Sequence, residues 1–223
     1  MRLLEFQAKE LFREYGINLL PSKASTTIEE GRKHAKELGY PFVIKIQVPV
    51  GGRGKAGGIQ KCQNDDEFEL KYPQVLGLTI KGEKARAILL EKMADIKKEL
   101  YLSLFLNRSK RCYTIIASPE GGVEIESVKN QIIKEVGLGN VSEQVAREVA
   151  KEMKLEGKAA DDFVDILQKL AKLTIEKEAE LAEINPLAIM QDGSLMALDG
   201  KFVTDDNGNF RHDELQKYQE KTE

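Results

Sequence analysis

Residues 43–62 read VIKIQVPVGGRGKAGGIQKC, a glycine-rich segment with a strand-like run on each side. Five glycines fall within the eight residues 51–58. Gly52, Gly54 and Gly57 satisfy the G-x-G-x-x-G spacing, but a dinucleotide-binding fingerprint runs from a strand into a helix, whereas here the glycines lead into a second strand. The segment therefore predicts a strand–flap–strand unit, and such a flap can cover phosphate groups with its backbone N–H groups.

Basic side chains accompany the flap. Arg53 and Lys55 are expected at its tip, and Lys45, on the preceding strand, is placed to reach a phosphate as a point charge. A flexible exposed hairpin would also explain the two strands. However, five glycines carry an entropic cost that a plain hairpin has no reason to bear. The glycines and the charge together favour a nucleotide-binding flap.

Composition excludes several classes of protein. The formal charge of −3 and a pI near 5.7 argue against a general nucleic-acid binder. No apolar run approaches the roughly 18 residues of a membrane span, and the N-terminal residues do not form a secretion signal. The two cysteines, Cys62 and Cys112, lie in strand-like runs and are expected to be buried thiols. These features predict a cytoplasmic protein without a membrane partner.

Helical patterns occur in both halves of the chain. Apolar spacing predicts a helix over 28–38, where Thr26 and Glu29 form a capping-box signature. Residues 65–72 predict a short helix that ends near Pro73. Strand-like runs then follow in a group, before two more helices, a hairpin and a polar tail. Strands grouped in this way predict an α+β chain with two lobes rather than one parallel doubly wound sheet.

The C-terminal hairpin, residues 182–201, is the second informative segment. Gln191–Gly193 suits a three-residue hairpin loop with its glycine in the left-handed conformation. That register places Asn185 opposite Asp199 and Glu183 opposite Lys201. An amide and a carboxylate oxygen side by side, completed by phosphate oxygens and water, suit Mg²⁺.

Two alternatives remain open at this point. A two-residue turn would shift the register by one and separate Asn185 from Asp199. An edge hairpin with a Glu183–Lys201 ion pair and a solvent-facing Asp199 would also explain the pattern without a metal. Pro186 supports an edge or interrupted strand because proline cannot donate to a ladder.

Three sets of motifs together resemble the nucleotide-binding part of the succinyl-CoA synthetase beta-subunit family. They are KIQVPVGGRGKAGG (45–58), EKMADIKKELYLS with SPEGGVEIE (91–103 and 118–126), and AEINPLAI with LDGK (182–189 and 198–201). The resemblance extends over about residues 3–210. It implies a two-lobed α+β ATP-grasp fold over residues 1–223, which binds ATP or ADP with Mg²⁺ and leaves GTP or GDP open as the nucleotide.

The resemblance also implies roles for individual residues. Glu183 matches an acid close to the site of phosphoryl transfer, and Asn185 and Asp199 match the magnesium positions. The positions that match nucleotide-contacting residues are Lys45, Gly52, Arg53, Gly54, Glu91, Ala94 and Glu99. The EGGVEIE motif (120–126) matches the family without an assigned role.

The family makes acyl-CoA from a carboxylate, CoA and a nucleoside triphosphate, through an acyl phosphate and a phosphohistidine. His34 and His212 do not lie in glycine-rich mobile loops, so the resemblance implies that an alpha subunit supplies the phosphohistidine and the CoA site. The family's second domain is absent from this chain. We therefore expect a truncated or naturally split subunit that is inactive without its partner. A related CoA ligase for another acid, such as malate, and a non-catalytic module that binds nucleotide or a partner are the alternatives.

Overall fold

The computed structural model describes residues 1–219, and these residues form two compact units. Unit 1 comprises Met1–Leu19 and Asp95–Gln219, and unit 2 comprises Leu20–Ala94. Unit 2 is thus inserted into the sequence of unit 1. Both units combine helices with antiparallel sheets, which confirms the predicted α+β class.

The described residues contain six α-helices, twelve strands and two short 3₁₀ helices, Ile125–Ser127 and Asn209–Arg211. The helices are α1 (Glu5–Glu14), α2 (Ile28–Leu38), α3 (Asp65–Leu76), α4 (Glu143–Glu152), α5 (Gly157–Glu176) and α6 (Asp213–Gln219). The strands are β1 (Ser22–Ser25), β2 (Phe42–Gln47), β3 (Ile59–Cys62), β4 (Thr79–Ile80), β5 (Glu83–Lys84), β6 (Ala87–Lys92), β7 (Ile96–Asn107), β8 (Cys112–Ser118), β9 (Ile132–Val136), β10 (Ala179–Met190), β11 (Leu195–Ala197) and β12 (Gly200–Thr204).

Unit 2 contains a four-stranded antiparallel sheet in the order β1-β6-β2-β3. Alternate residues of β2, among them Phe42, Ile44 and Ile46, are fully buried. The rings of Phe68 and Tyr72, on α3, join them in one core. The glycine flap connects β2 to the edge strand β3, which confirms the predicted strand–flap–strand unit.

Unit 1 contains a six-stranded antiparallel sheet in the order β11-β10-β7-β8-β9, with β12 also paired to β10. Leu102 and Leu104 of β7 are fully buried in one core with Phe163 and Leu167 of α5. β7 lies between β10 and β8, so it is an interior strand of this sheet. Among residues 1–219, no helix is both long and apolar enough to cross a membrane.

Two of the predicted helix ends are wrong. The cap of α2 is Thr27 rather than Thr26, because the Thr27 hydroxyl accepts the Glu30 N–H at 3.2 Å. α3 does not end at Pro73 but continues to Leu76. Proline removes one helical hydrogen bond, yet the buried Tyr72 and Val75 on either side hold this helix against the core.

The C-terminal segment is not a simple polar tail. α6 buries Leu215 and Tyr218 in the core of unit 1, and the Tyr218 hydroxyl donates to Glu10 at 2.9 Å. The sequence prediction failed here because two apolar residues in a polar segment give a weak helical signal, and the partner of the Tyr218 hydroxyl lies on α1 at the other end of the chain.

Candidate active site

Lys45 is the residue of unit 2 that the sequence places nearest to a phosphate. This residue lies on β2, and its ammonium donates to the Glu91 carboxylate of β6 at 2.6 Å. Both side chains are buried. β2 and β6 are neighbours in the sheet, and Lys45 pairs with Leu89, two residues from Glu91 on the same face. The structure therefore brings together two residues that are 46 positions apart in the sequence.

The flap that follows β2 is a folded turn. Gly52 has a φ of +82°, which only glycine adopts without strain, and its carbonyl accepts the Ala56 N–H at 3.3 Å. Gly54 also lies in the exposed part of the flap. Gly58 ends it, where an added Cβ would lie 3.0 Å from a methyl group of Ile80. The exposed backbone of the flap is consistent with a role in covering a ligand.

Arg53 does not lie at the tip of the flap, as the sequence suggested. Its side chain is buried, and its guanidinium donates to the Ile46 carbonyl on β2 at 3.3 Å. The prediction was wrong because the carbonyl that Arg53 binds is seven positions away, across the flap. Lys55 is exposed, as expected, and Ala94 is half-buried at the end of unit 2.

The hairpin in unit 1 has the predicted three-residue loop. The Met190 N–H donates to the Ser194 carbonyl at 2.8 Å, and Gly193 has a φ of +80°. Glu183 pairs with Lys201, so the two-residue turn is excluded. Pairing is in the same register on both sides of Asn185, which places it opposite Asp199.

The hairpin forms one edge of the sheet, because its returning strands β11 and β12 are the outermost strands on that side. β10 lies inside the sheet, between β7 on one side and β11 and β12 on the other. Asp199 is half-buried rather than directed fully into solvent. The edge position in that alternative is therefore confirmed, whereas its solvent-facing Asp199 is not. The interruption signalled by Pro186 is real, because β10 has one extra residue relative to β7 between Ile184 and Leu187.

Glu183 lies on the face of the sheet that also carries Tyr101. The Tyr101 hydroxyl donates to the Glu183 carboxylate at 3.0 Å. Burial raises the pKa of Glu183, while the Lys201 charge and this hydrogen bond act in the opposite direction. Tyr101 was not predicted as a site residue, although its place two residues before Ser103, which pairs with Glu183, could have indicated it.

Glu99 and Asn185 meet at one turn of the EGGVEIE motif. An added Cβ on Gly122 would collide with the Glu99 carboxylate, and the Gly122 N–H donates to the Asn185 side-chain oxygen at 2.7 Å. Unit 1 thus brings together the predicted acid, metal and nucleotide positions. In unit 2, the structure shows a direct contact between two of the predicted residues, Lys45 and Glu91.

The donor set of Asn185 and Asp199 fits Mg²⁺. Amide and carboxylate oxygens are the hard ligands that this ion prefers, and it usually takes one or two protein carboxylates together with phosphates and water. Among residues 1–219, no group of three or more His, Cys, Asp or Glu side chains could hold a metal ion. A site of this kind on unit 1 would therefore depend on oxygens from a nucleotide.

Each histidine lies on or beside a helix. His34 is on α2 in unit 2. His212 lies next to α6, where its ring nitrogen is 2.9 Å from the Glu178 carboxylate.

The two cysteine thiols differ in burial. Cys62 is fully buried, as predicted, whereas Cys112 is only half-buried.

Comparison with known proteins places these features in a family. Residues 2–189 match a family model described as an ATP-grasp domain. The chain is 42% identical to the succinate–CoA ligase (ADP-forming) subunit beta of Chloroflexus aggregans, covering 96% of this chain and 58% of that protein. The corresponding subunit of Deinococcus radiodurans is 39% identical, over 99% of this chain and 59% of that protein. The chain thus spans about three-fifths of the length of these relatives.

Solved structures show the same fold. A dinucleotide-forming acetyl-coenzyme A synthetase of Ca. Korarchaeum cryptofilum, in complex with coenzyme A and a calcium nucleotide analogue, has a TM-score of 0.79 at 21% identity, with 92% of this chain and 93% of that chain covered. Another structure of that enzyme contains Mg-AMPPCP and a phosphohistidine segment that points towards the nucleotide-binding site; its TM-score is 0.72 at 22% identity, with 92% and 93% covered. The likeness establishes the two-lobed ATP-grasp fold.

Proposed function

Because the chain belongs to the ATP-grasp family, we propose that it is the nucleotide-binding part of the beta subunit of a succinate–CoA ligase. The reaction is succinate + CoA + ATP ⇌ succinyl-CoA + ADP + phosphate, and GTP could replace ATP. The two relatives at 42% and 39% identity carry this name, which supports succinate as the substrate. The step assigned to this chain is phosphoryl transfer between nucleotide and a histidine.

One observation carries the proposal: Glu183 and Asn185 lie on β10 in register with Lys201 and Asp199. Glu183, the acid proposed for the transfer site, is therefore two residues from the proposed metal ligand Asn185. It also pairs with the cationic Lys201 on the neighbouring strand. A plain structural hairpin does not need the two half-buried carboxylates of Glu183 and Asp199. Phosphoryl transfer needs charge neutralisation and positioning at one place, which these groups supply.

Each group of residues has a distinct task in this proposal. Asn185 and Asp199 would hold Mg²⁺, which neutralises phosphate charge when it is bound. Lys45 and the backbone of Gly52 and Gly54 bind the phosphates, with the Glu91 carboxylate holding the Lys45 ammonium in place. The other proposed nucleotide contacts are Arg53, Glu91, Ala94 and Glu99.

Glu183 acts on the histidine in this proposal. A carboxylate can accept a hydrogen bond from the imidazole nitrogen that does not carry phosphate, and so orient the ring. The Tyr101 hydroxyl holds the Glu183 carboxylate from one side. The phosphohistidine would come from an alpha subunit, which also carries the CoA site, in the cytoplasm. A structural relative with a phosphohistidine segment that points to its nucleotide site supports this partner.

The test is phosphoryl transfer from a partner subunit. A succinate–CoA ligase alpha subunit phosphorylated on its histidine is mixed with this chain, ADP and Mg²⁺, and ATP formation is measured. We expect ATP to form with the wild-type chain and Asp199→Asn to reduce the rate about 100-fold or more, because losing even an outer partner of a metal ligand costs about 10- to 100-fold. Asp161→Asn, on the exposed surface of α5, is the matched control. An unchanged rate in Asp199→Asn, or no ATP with the wild-type chain, would show the proposal to be wrong.

A further inference from the structure

The turn Gly121–Val123 lies in the EGGVEIE motif and has no task in the proposed transfer, yet it contacts two of the residues assigned to it. The Gly121 N–H donates to the Glu99 carbonyl at 3.0 Å. The Gly122 N–H donates to the Asn185 side-chain oxygen at 2.7 Å, and the Asn185 side-chain nitrogen donates to the Val123 carbonyl at 3.0 Å. Both polar atoms of the Asn185 amide are thus paired with the backbone of this turn.

The turn can lie so close only because two of its residues are glycines. A Cβ at Gly121 would fall 2.7 Å from the Leu100 backbone nitrogen and closer still to the Leu100 carbonyl. A strand backbone inside a sheet cannot move aside for it. Gly122 has a φ of +71°, a conformation that L side chains rarely adopt, and its Cβ would collide with Glu99. Gly121 therefore allows one backbone to pack closely on another, and Gly122 supplies the left-handed conformation beside the Glu99 side chain.

This pairing fixes which way the Asn185 amide faces. If the amide were rotated by 180°, its oxygen would face the Val123 carbonyl and its NH₂ group would face the Gly122 N–H, so both contacts would be repulsive. In the observed orientation the oxygen accepts one N–H. An amide oxygen has two lone pairs, so an oxygen that accepts the Gly122 N–H can still bind a cation. β10 has one extra residue relative to β7 at this point, so the ladder between these two strands is interrupted beside Asn185.

We propose that the Gly121–Val123 turn positions the metal ligand: it holds the Asn185 amide with its oxygen presented to Mg²⁺. The inference rests on the proposed function, and it gives the EGGVEIE motif a task that neither its resemblance nor its spacing assigned. The turn itself touches neither the metal nor the nucleotide in this scheme. Its residues act through Asn185, as partners of metal ligands commonly do.

Nucleotide binding provides the first test. The affinity of the full chain for ADP is measured by calorimetry in excess Mg²⁺ and again in EDTA, for wild type, Gly121→Ala and Gly139→Ala. Gly139 has an ordinary φ and open space around an added Cβ, so it is the matched control. We expect Mg²⁺ to strengthen ADP binding by wild type and by Gly139→Ala. Gly121→Ala should lose about 10- to 100-fold of that Mg²⁺-dependent gain, the usual effect of losing a partner of a metal ligand, while its affinity in EDTA stays the same.

Amide hydrogen exchange provides a second test, which needs no nucleotide and no substitution in the turn. In Asn185→Ala the Gly122 N–H loses its acceptor, so its exchange should become at least tenfold faster. The Gly121 N–H, bonded to the Glu99 carbonyl, is the internal control and should keep its rate. Unchanged exchange at Gly122 overturns the inference. So does a Gly121→Ala variant that folds and keeps the full Mg²⁺-dependent gain. If wild type gains nothing from Mg²⁺, the proposed metal site itself is wrong and the inference falls with it.

Discussion

The Lys45 side chain contributes to the stability of unit 2 and, in the proposed function, also binds the nucleotide phosphates. Its ammonium is buried 2.6 Å from the Glu91 carboxylate. Removing one partner of a buried pair is costly because the other charge stays away from water. We expect Lys45→Met to lower the free energy of unfolding by ~3–5 kcal/mol, measured by urea denaturation followed by circular dichroism.

Two further variants distinguish the effect of breaking the buried Lys45–Glu91 pair from the effect of losing any charged side chain. Lys23→Met removes one partner of the exposed Lys23–Glu37 ion pair in the same unit, and it should cost less than ~1 kcal/mol. The double variant Lys45→Met/Glu91→Gln should recover part of the lost stability, because no buried carboxylate remains, but it should bind ADP more weakly than wild type. If Lys45→Met lowers the free energy of unfolding by less than ~1 kcal/mol, the buried Lys45–Glu91 pair does not stabilise unit 2 as expected.

The C-terminal hairpin shows how a short loop sets the site at the scale of an element. The loop fixes the register that places Asn185 opposite Asp199, and it depends on Gly193 at φ +80°. An L-residue in that conformation costs ~1–2 kcal/mol. We expect Gly193→Ala to lower the free energy of unfolding by about this amount, measured by urea denaturation, while Gly139→Ala changes it by less than ~0.5 kcal/mol. Equal stability of Gly193→Ala and wild type would mean that the loop tolerates another turn type.

How well the sequence predicted each element depended on how local its determinants are. The flap strands and the hairpin register follow from glycines and turn residues within a few positions, and both predictions were confirmed. Arg53 was misplaced because its acceptor, the Ile46 carbonyl, belongs to the strand across the flap. The contacts of Gly122 with Asn185 were missed for the same reason, since these residues are 63 positions apart. Contacts between residues so far apart in the sequence depend on tertiary packing. The spacing of residues within a short segment does not predict them.

At the scale of the whole molecule, the chain builds two separate cores. The core of unit 2 draws only on residues between 20 and 94, whereas the core of unit 1 draws on residues before and after that segment. The sequence indicated two lobes from the grouping of its strands. It did not indicate an insertion, because the two parts of unit 1 are joined by contacts such as the Leu3 N–H with the Phe202 carbonyl at 3.0 Å.

The separate cores predict that residues 20–94 fold without the rest of the chain. A domain of this size buries about 60% of the surface of its unfolded chain, so we expect marginal but cooperative stability. Cys62 is the only thiol in this segment and is fully buried. Burial raises the pKa of the Cys62 thiol to about 11, so at pH 8.5 alkylation by iodoacetamide should be slow in the folded fragment and fast in urea.

The same thiol predicts how the stability of the fragment depends on pH. The unfolded thiol ionises near pH 8.5, whereas the folded one keeps its proton until about pH 11. The unfolded state therefore binds fewer protons within this range, and the free energy of unfolding should fall as pH rises through it. Cys62→Ala should remove this part of the pH dependence. Ile44→Asp, which places a charge in the core, is the unfolded control. A wild-type fragment that reacts with iodoacetamide as fast as Ile44→Asp would show that unit 2 needs unit 1 to fold.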